Sequence, residues 1–350
     1  MNGVMGYTGS HSVRRLSRAI SLLACFTVAA HGEPDPSGPA YDNIGLGNFT
    51  LRLLTFQNLI RPSQTSVSFY ELEPGRWNVT LSLGYGNIWN FDRNAYIVDG
   101  EWANADLRLA YTVNERLELG MLLTTSLRHG GYFDRAVEGF HDAFGLEQNA
   151  RDEFERNDVM VNRYWRIFKV ASLTERSSGL NDIPLFLNWE LTRGDRDTPA
   201  IRLQPSITLP TGAEEELEGY GSPTFSLSLL AAKRLGDSPH HVYGELYGSY
   251  SDDQRRLGVP INQEVFGGML TWEIRSSARF SWVVQYHVLS PLAQDFEEFS
   301  REAHHVNVGF KQRLKNGCVV EASVQENLFY FNNSARSEER RVGKECRSRW

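Results

Sequence analysis

From Trp77 onward the chain alternates large apolar residues with small or polar ones, segment after segment, over most of its length. Between Trp77 and Tyr85 the odd positions are apolar and the even ones small or polar, the pattern of a strand with two unlike faces. Leu107, Leu109, Tyr111 and Val113 alternate with Asp106, Arg108, Ala110 and Thr112; Leu117, Leu119, Met121 and Leu123 alternate with Glu118, Gly120, Leu122 and Thr124. Further strands are predicted over 183–191, 201–209, 225–234, 242–250, 265–274, 280–288, 306–310 and 318–328. A helical bundle does not arise from a period of two. Past the N-terminal region no stretch reaches the roughly eighteen apolar residues of a spanning helix.

The connections sort by length. Those at 114–116, 193–198, 235–240, 275–278 and 314–317 are tight, whereas 130–181 is very long and 210–221, 251–261 and 290–302 are medium and acidic. Short turns on one side and long loops on the other predict an all-β fold, a transmembrane antiparallel β-barrel of the outer-membrane kind. A soluble sandwich has no reason to alternate in this way. The segment from Val159 to Val170 would put two successive long connections on one side, so it is read as part of the outer loop, 128–181. Eleven strands remain within a barrel domain spanning 76–335, and the even strand number of such barrels predicts about 12, with the closing strand missing.

Both ends stand apart from this body. Arg14, Arg15 and Arg18 precede an apolar run from Ala19 to Ala30, so residues 1–32 read as a secretory signal peptide. Leu22 to Cys25 resembles a lipoprotein box, but the apolar run continues past Cys25 and cleavage is expected between Ala30 and Gly32. Residues 336–350 are charge-dense and without periodicity. They resemble the in-frame translation of a sequencing-library adapter, a solvated tail being the other reading; the natural chain is expected to continue past Ala335 to a closing strand. Net charge is −7 over 350 residues; the body alone has 27 basic against 40 acidic side chains, net −13. Nothing here suggests nucleic acid as a partner. Cys318 is the body's only cysteine, so no disulfide framework is expected.

The strand faces opposite the apolar ones line the lumen and carry Asp106, Arg108, Glu118, Glu190, Arg202, Gln204, Glu245, Gln285, His287 and Lys311. They read equally as a selectivity lining or as a salt-bridge network that fills the barrel. Trp77 and Trp89 share one face and would stand about 28 Å apart along the membrane normal, matching two interfacial girdles. Residues 33–75 form an N-terminal segment, of which the apolar stretch 41–69 is read as a lumen plug, a periplasmic extension or an extra edge segment. In the long loop, Phe133, Val137, Phe140 and Phe144 recur at spacings of three and four, predicting a short amphipathic helix over the barrel mouth. The outer-loop candidates are Phe140, His141, Asp142 and Phe144. The loop's acids either bridge to lipopolysaccharide through divalent cations or form a solvated face. His240-His241 and His304-His305 point to opposite faces of a strand, so neither pair converges on a metal; no metal and no cofactor is expected. Motifs for a nucleophile elbow, a zinc protease or a P-loop are absent, and His129, His141 and Asp142 are the only weak candidates for a hydrolase.

Leu72-x-Pro-Gly-Arg-Trp77, Val98 to Trp102, Arg116 to Gly120 and Gly139 to Gly145, together with the signal peptide, resemble the proteobacterial outer-membrane family known as domain of unknown function 3187. The resemblance covers about Asn48 to Asn332. It implies an outer-membrane barrel similar in architecture to transporters of fatty acids and aromatic hydrocarbons, with no catalytic residues to carry over. The expected function is a passive channel or transporter for a small, apolar solute in the outer membrane of a Gram-negative bacterium. The alternatives are a structural or surface-interaction protein with a blocked lumen and, behind it, an outer-membrane hydrolase. Expected partners are outer-membrane lipid, lipopolysaccharide, the barrel-assembly machinery and an unidentified solute.

Overall fold

Each of the eleven strands predicted from alternation is present, most of them extended by one to three residues. The computed structural model describes residues 23–30, 43–60, 68–92, 95–144, 150–165, 168–252, 255–294 and 296–328. In chain order the elements are β1 (Leu23–Ala30), α1 (Phe56–Ile60), β2 (Trp77–Asp92), β3 (Tyr96–Asn114), β4 (Leu117–His129), α2 (Asp134–Phe144), β5 (Met160–Trp165), β6 (Phe168–Leu173), β7 (Ser177–Leu180) and β8 (Ile183–Thr192). They continue as β9 (Ala200–Leu209), β10 (Thr224–Arg234), β11 (His240–Ser251), β12 (Arg255–Arg256), β13 (Val259–Pro260), β14 (Glu264–Ser277), β15 (Phe280–Leu289), β16 (Ala303–Arg313) and β17 (Cys318–Asn327).

The wall is an antiparallel meander in which β2, β3, β4, β8, β9, β10, β11, β14, β15, β16 and β17 pair in that order. Strands β5 and β6 form a hairpin against the outer end of β3, with Met160 to Arg163 opposite Asp99 to Tyr96, so this segment does not cross the wall and belongs to the long loop. β7 prolongs β8 outward along β4 after an interruption at Asn181 and Asp182.

The strand expected to be missing has its position occupied. β1 pairs on one side with β17, Leu23 opposite Gln325, and on the other with β2, Leu23 opposite Gly86. Its residues are those read from sequence as the apolar core of the signal peptide. Without them β2 and β17 are unpaired edges, and such edges template any extended segment that offers its backbone.

The outward face of the wall is apolar along its length, with Leu81, Leu83, Leu119, Leu227, Leu229, Leu246, Leu270 and Val308 all exposed. Soluble monomers rarely expose contiguous apolar patches beyond a few hundred Å²; this is the surface of a sheet solvated by hydrocarbon. At the short-turn end Trp77, 63% exposed, packs 5.1 Å from Tyr111, and Trp189, Trp272 and Trp282 are exposed near the same end of their strands. These form one aromatic girdle. Trp89 does not form the other. It is 6% exposed, covered by Phe154 at 5.3 Å and the Arg151 guanidinium at 5.4 Å, because the long loop folds onto the outer end of β2. Exposed aromatics on the strands nearer the long-loop end include Phe225, Tyr250 and Phe266.

Because the apolar face is outside, a charge placed there is penalised by depth. Leu246→Arg, at a position 67% exposed in the middle of β11, is expected to destabilise the barrel in lipid by about 2–4 kcal/mol. Urea unfolding in vesicles, followed by the gel shift of folded against heated protein, measures this.

Candidate functional site

The lumen is filled by the chain's own N-terminal segment. Asn43 marks its entry at the short-turn end, donating through Nδ2 to the carbonyls of Asp195 (3.0 Å) and Thr198 (3.2 Å) in the β8–β9 turn. The segment rises past β14, β15 and β17, turns through α1, and brings Ile60 into the apolar cluster at the long-loop end. From Ser68 it descends to Tyr70 and Leu72 and joins β2 at Trp77, back at the short-turn end. Of the three readings left open by the sequence, the geometry places 43–60 and 68–72 inside the barrel.

Non-strand backbone inside a barrel needs partners for its N–H and C=O groups. Here wall side chains supply them. Glu273 on β14 accepts from Leu46 N at 2.9 Å and from Gly47 N, and Gln285 on β15 accepts from Phe49 N at 2.8 Å. On β17, Glu321 accepts from Thr50 N at 2.9 Å. Lys311 on β16 donates to Asn48 O (2.7 Å) and Ser68 Oγ (2.9 Å) while pairing with Glu321 at 2.9 Å, so it ties the rising and descending limbs to the wall. Apolar packing adds to this grip. Phe49, Leu51 and Leu54 cluster with Val283, and Leu53 with Tyr247, Leu289 and Ala303; each such buried side chain contributes about 1.5–3 kcal/mol relative to exposure.

Gly47 sits at φ +87°, a left-handed backbone that glycine adopts without steric cost, and a Cβ there would lie 2.5 Å from the Phe69 carbonyl oxygen. The two limbs pass too closely at this point for any side chain.

All ten lumen candidates lie inside the barrel and are buried. Arg108 and Glu118 pair at 2.8 Å beneath Tyr70, whose hydroxyl donates to Glu118 while accepting from Arg108 Nη1 at 2.8 Å. Arg202 pairs with Glu190 at 3.2 Å and donates to the Tyr70 carbonyl, its guanidinium 4.3 Å from the Phe69 ring centroid. Glu245 accepts from Ser228 at 2.8 Å; His287 Nε2 meets Gln285 Nε2 at 2.8 Å. Asp106 lies 3.6 Å from Arg52 of the internal segment. Gln204 lines a cavity on the β9–β10 side. Most of these charges hold the segment or one another. Sequence reasoning missed Glu273, Glu321 and Tyr70. Glu273 and Glu321 have the inward parity of their strands, so alternation alone would have found them; Tyr70 lies before the first wall strand, where no parity applies.

At the long-loop end, Ile60 packs with Trp102 and Val98 of β3 and with Leu217, Ile261, Leu292 and Phe299 from three different loops, forming an apolar cap across the mouth. The helix predicted to cover the mouth is present as α2, but it lies elsewhere. Glu101, on the outward face of β3, accepts from Tyr132 N (3.0 Å) and Phe133 N (2.7 Å), and Asn87 on β2 donates to Asp134 at 3.0 Å. These polar outward residues draw the start of α2 onto the outside of the β2–β3 wall. Asp142 is exposed on α2, while the side chains of Phe140, His141 and Phe144 lie outside the described residues. His129 accepts from Gly131 N through Nδ1 at 2.9 Å. Among the described residues no group of three or more His, Cys, Asp or Glu is arranged to hold a metal.

Two carboxyls outside the strands have shifted ionisation. Burial raises that of Asp182, between β7 and β8, although it accepts from Gly212 N and Tyr220 N and so fastens the β9–β10 loop. In the exposed β8–β9 turn, hydrogen bonds from Thr198 and Asp197 hold the Asp195 carboxyl below the usual range.

A model of the family described as "Protein of unknown function (DUF3187)" matches residues 43–336. No curated protein sequence matches the chain. Among solved structures, the COG4313 outer membrane channel from Pseudomonas putida F1 is similar over 92% of this chain and 100% of its own, at 10% identity and a TM-score of 0.40. The Pseudomonas putida toluene transporter TodX aligns with 88% of this chain and 89% of its own, at 10% identity and a TM-score of 0.37. A Pseudomonas aeruginosa FadL homologue aligns with 88% and 90%, at 9% identity and a TM-score of 0.37.

Removing one partner of a buried ion pair strands the other. Lys311→Met leaves Glu321 uncompensated and is expected to cost about 3–5 kcal/mol, whereas Lys311→Met with Glu321→Leu costs less than the single change. A double-mutant cycle by urea unfolding in vesicles checks this. Asp195 titrates in the opposite sense to a raised group: its contribution to the turn is present above the unfolded carboxyl's pKa and is lost as pH falls through its lower folded value. Proteolysis at the Asn43 entry is therefore expected to begin in the wild type only below the ordinary carboxylate range, and at neutral pH in Asp195→Ala.

Proposed function

The chain belongs to the DUF3187 family, and from that premise and the geometry of its lumen we propose an outer-membrane β-barrel channel or transporter, held shut by residues 43–60 and 68–72. One observation carries this reading. The backbone between Leu46 and Thr50 is held by side chains of the wall, Glu273, Gln285, Lys311 and Glu321, and not by pairing with a strand. Such contacts are severed singly while every strand-to-strand hydrogen bond stays in place, so the segment is able to leave or shift with the wall intact. A purely space-filling core has no need of this arrangement.

The exposed apolar belt and the aromatic residues at the short-turn end support residence in the outer membrane of a Gram-negative bacterium, with lipid and lipopolysaccharide around the wall and barrel-assembly machinery as the inserting partner. The reading is of a non-enzyme. A blocked-lumen structural protein is the second reading, favoured by the three buried ion pairs Arg108–Glu118, Arg202–Glu190 and Lys311–Glu321, which fix the filling in place.

Single-channel recording in a planar bilayer separates the two. The full chain is expected to be silent or to open in brief steps, and a version lacking residues 41–69 to give steady ohmic steps. Silence from both versions, each shown to be folded, overturns the channel reading in favour of the structural one.

A further inference from the structure

Between the internal segment and the β8–β10 sector of the wall lies a cavity of about 70 Å³, roughly the space of five or six water molecules. Its wall side is a ladder of hydrogen-bonding side chains. On β9 and β10, Thr208 stands opposite Thr224 and Ser206 opposite Ser226, with Gln204 on the next rung of β9. All five line the cavity. Among the described residues none of the five makes a side-chain hydrogen bond within the protein. Their neighbours on the wall behave differently: Ser228, one rung further on, is satisfied by Glu245.

The charged groups at the cavity are already spoken for. Arg108 is paired with Glu118 and Arg52 lies 3.6 Å from Asp106, while Asp182 accepts two backbone N–H groups and Glu218 accepts from Ser177 Oγ at 2.6 Å. The ladder itself is uncharged: hydroxyls, which donate and accept, and the Gln204 carboxamide. Phe186 and Pro184 of β8 supply an apolar wall beside the ladder. An apolar solute in this space would displace water and leave every rung unsatisfied. An anion would meet the carboxylates of Asp182 and Glu218, with both arginines already engaged. A solute that carries hydroxyls along one edge and C–H groups along the other matches both walls.

We propose that this cavity is a binding site for a small uncharged polyol, of three or four carbons, within the lumen. It deepens the channel reading and rests on it for its role in transport, and it differs from the apolar solute that the family resemblance implies.

The test uses the folded full chain in detergent and erythritol as the probe, with 1,4-butanediol as the analogue lacking the inner hydroxyls. Saturation-transfer difference NMR is expected to show saturable erythritol binding, weaker binding of the diol, and an affinity about tenfold lower in Thr208→Val with Thr224→Val, which removes two hydroxyls and keeps the side-chain shape. Ser206→Ala with Ser226→Ala gives a second, independent pair should the first fail to fold. Absence of saturable binding, or binding unchanged in either folded pair, overturns the site. Swelling of vesicles carrying the chain without residues 41–69, in isotonic erythritol, reports on the channel separately. Binding without swelling keeps the site and removes the channel reading; swelling without saturable binding keeps the channel and removes the site.

Discussion

A backbone N–H or C=O that loses water has to find another partner, and both halves of this chain are arranged around that requirement. In the wall the solution is strand pairing, carried from β2 to β17 with β1 lying between those two strands. Inside the lumen, where residues 43–60 and 68–72 are not part of the wall, carboxylates, amides and one lysine on the inward face do the same task. The polarity of the lumen follows from this. Glu273 and Glu321 are buried because a backbone donor waits opposite each of them, and Lys311 is buried because it answers Glu321 and two oxygen acceptors together.

The same requirement explains the unequal ends of the barrel. At the short-turn end, turns such as the one at Asp195 to Thr198 satisfy themselves and also hold Asn43. At the long-loop end the β2 and β3 strands run beyond the apolar belt. Their outward residues there, Asn87 and Glu101, are polar and recruit the start of α2, while their inward residues Ile88, Val98 and Trp102 are apolar and recruit Ile60 and three loops. Inside and outside exchange chemistry along a single pair of strands, and the loops follow.

Alternation made the wall legible from the residues alone, because parity fixes the face of every residue in a strand that has lipid on one side. It placed all ten lumen candidates on the inward face, from Asp106 to Lys311, and kept the 159–170 segment out of the wall. Its failures fall where a second layer covers the wall. Trp89 has the parity of a lipid-facing residue yet is buried under Phe154, and α2 has the amphipathic spacing of a cap yet begins on the outside of the wall through Glu101. Periodicity records which face a residue occupies; it does not record what lies over that face. The course of the internal segment was equally hidden, since irregular backbone has no period, and its partners lie up to 271 residues away in sequence.

Those separations set an order of assembly. The segment that fills the lumen precedes β2 to β17 in sequence, while the side chains that hold it are carried by β14 to β17 at the far end of the chain. The backbone from Leu46 to Thr50 therefore gains its partners only once β14 to β17 are in place. Glu273, Lys311 and Glu321 reach the hydrophobic slab on the last strands to be made, and they are neutralised when Leu46 to Thr50 is waiting for them. A barrel that closes empty carries unanswered charge in its interior.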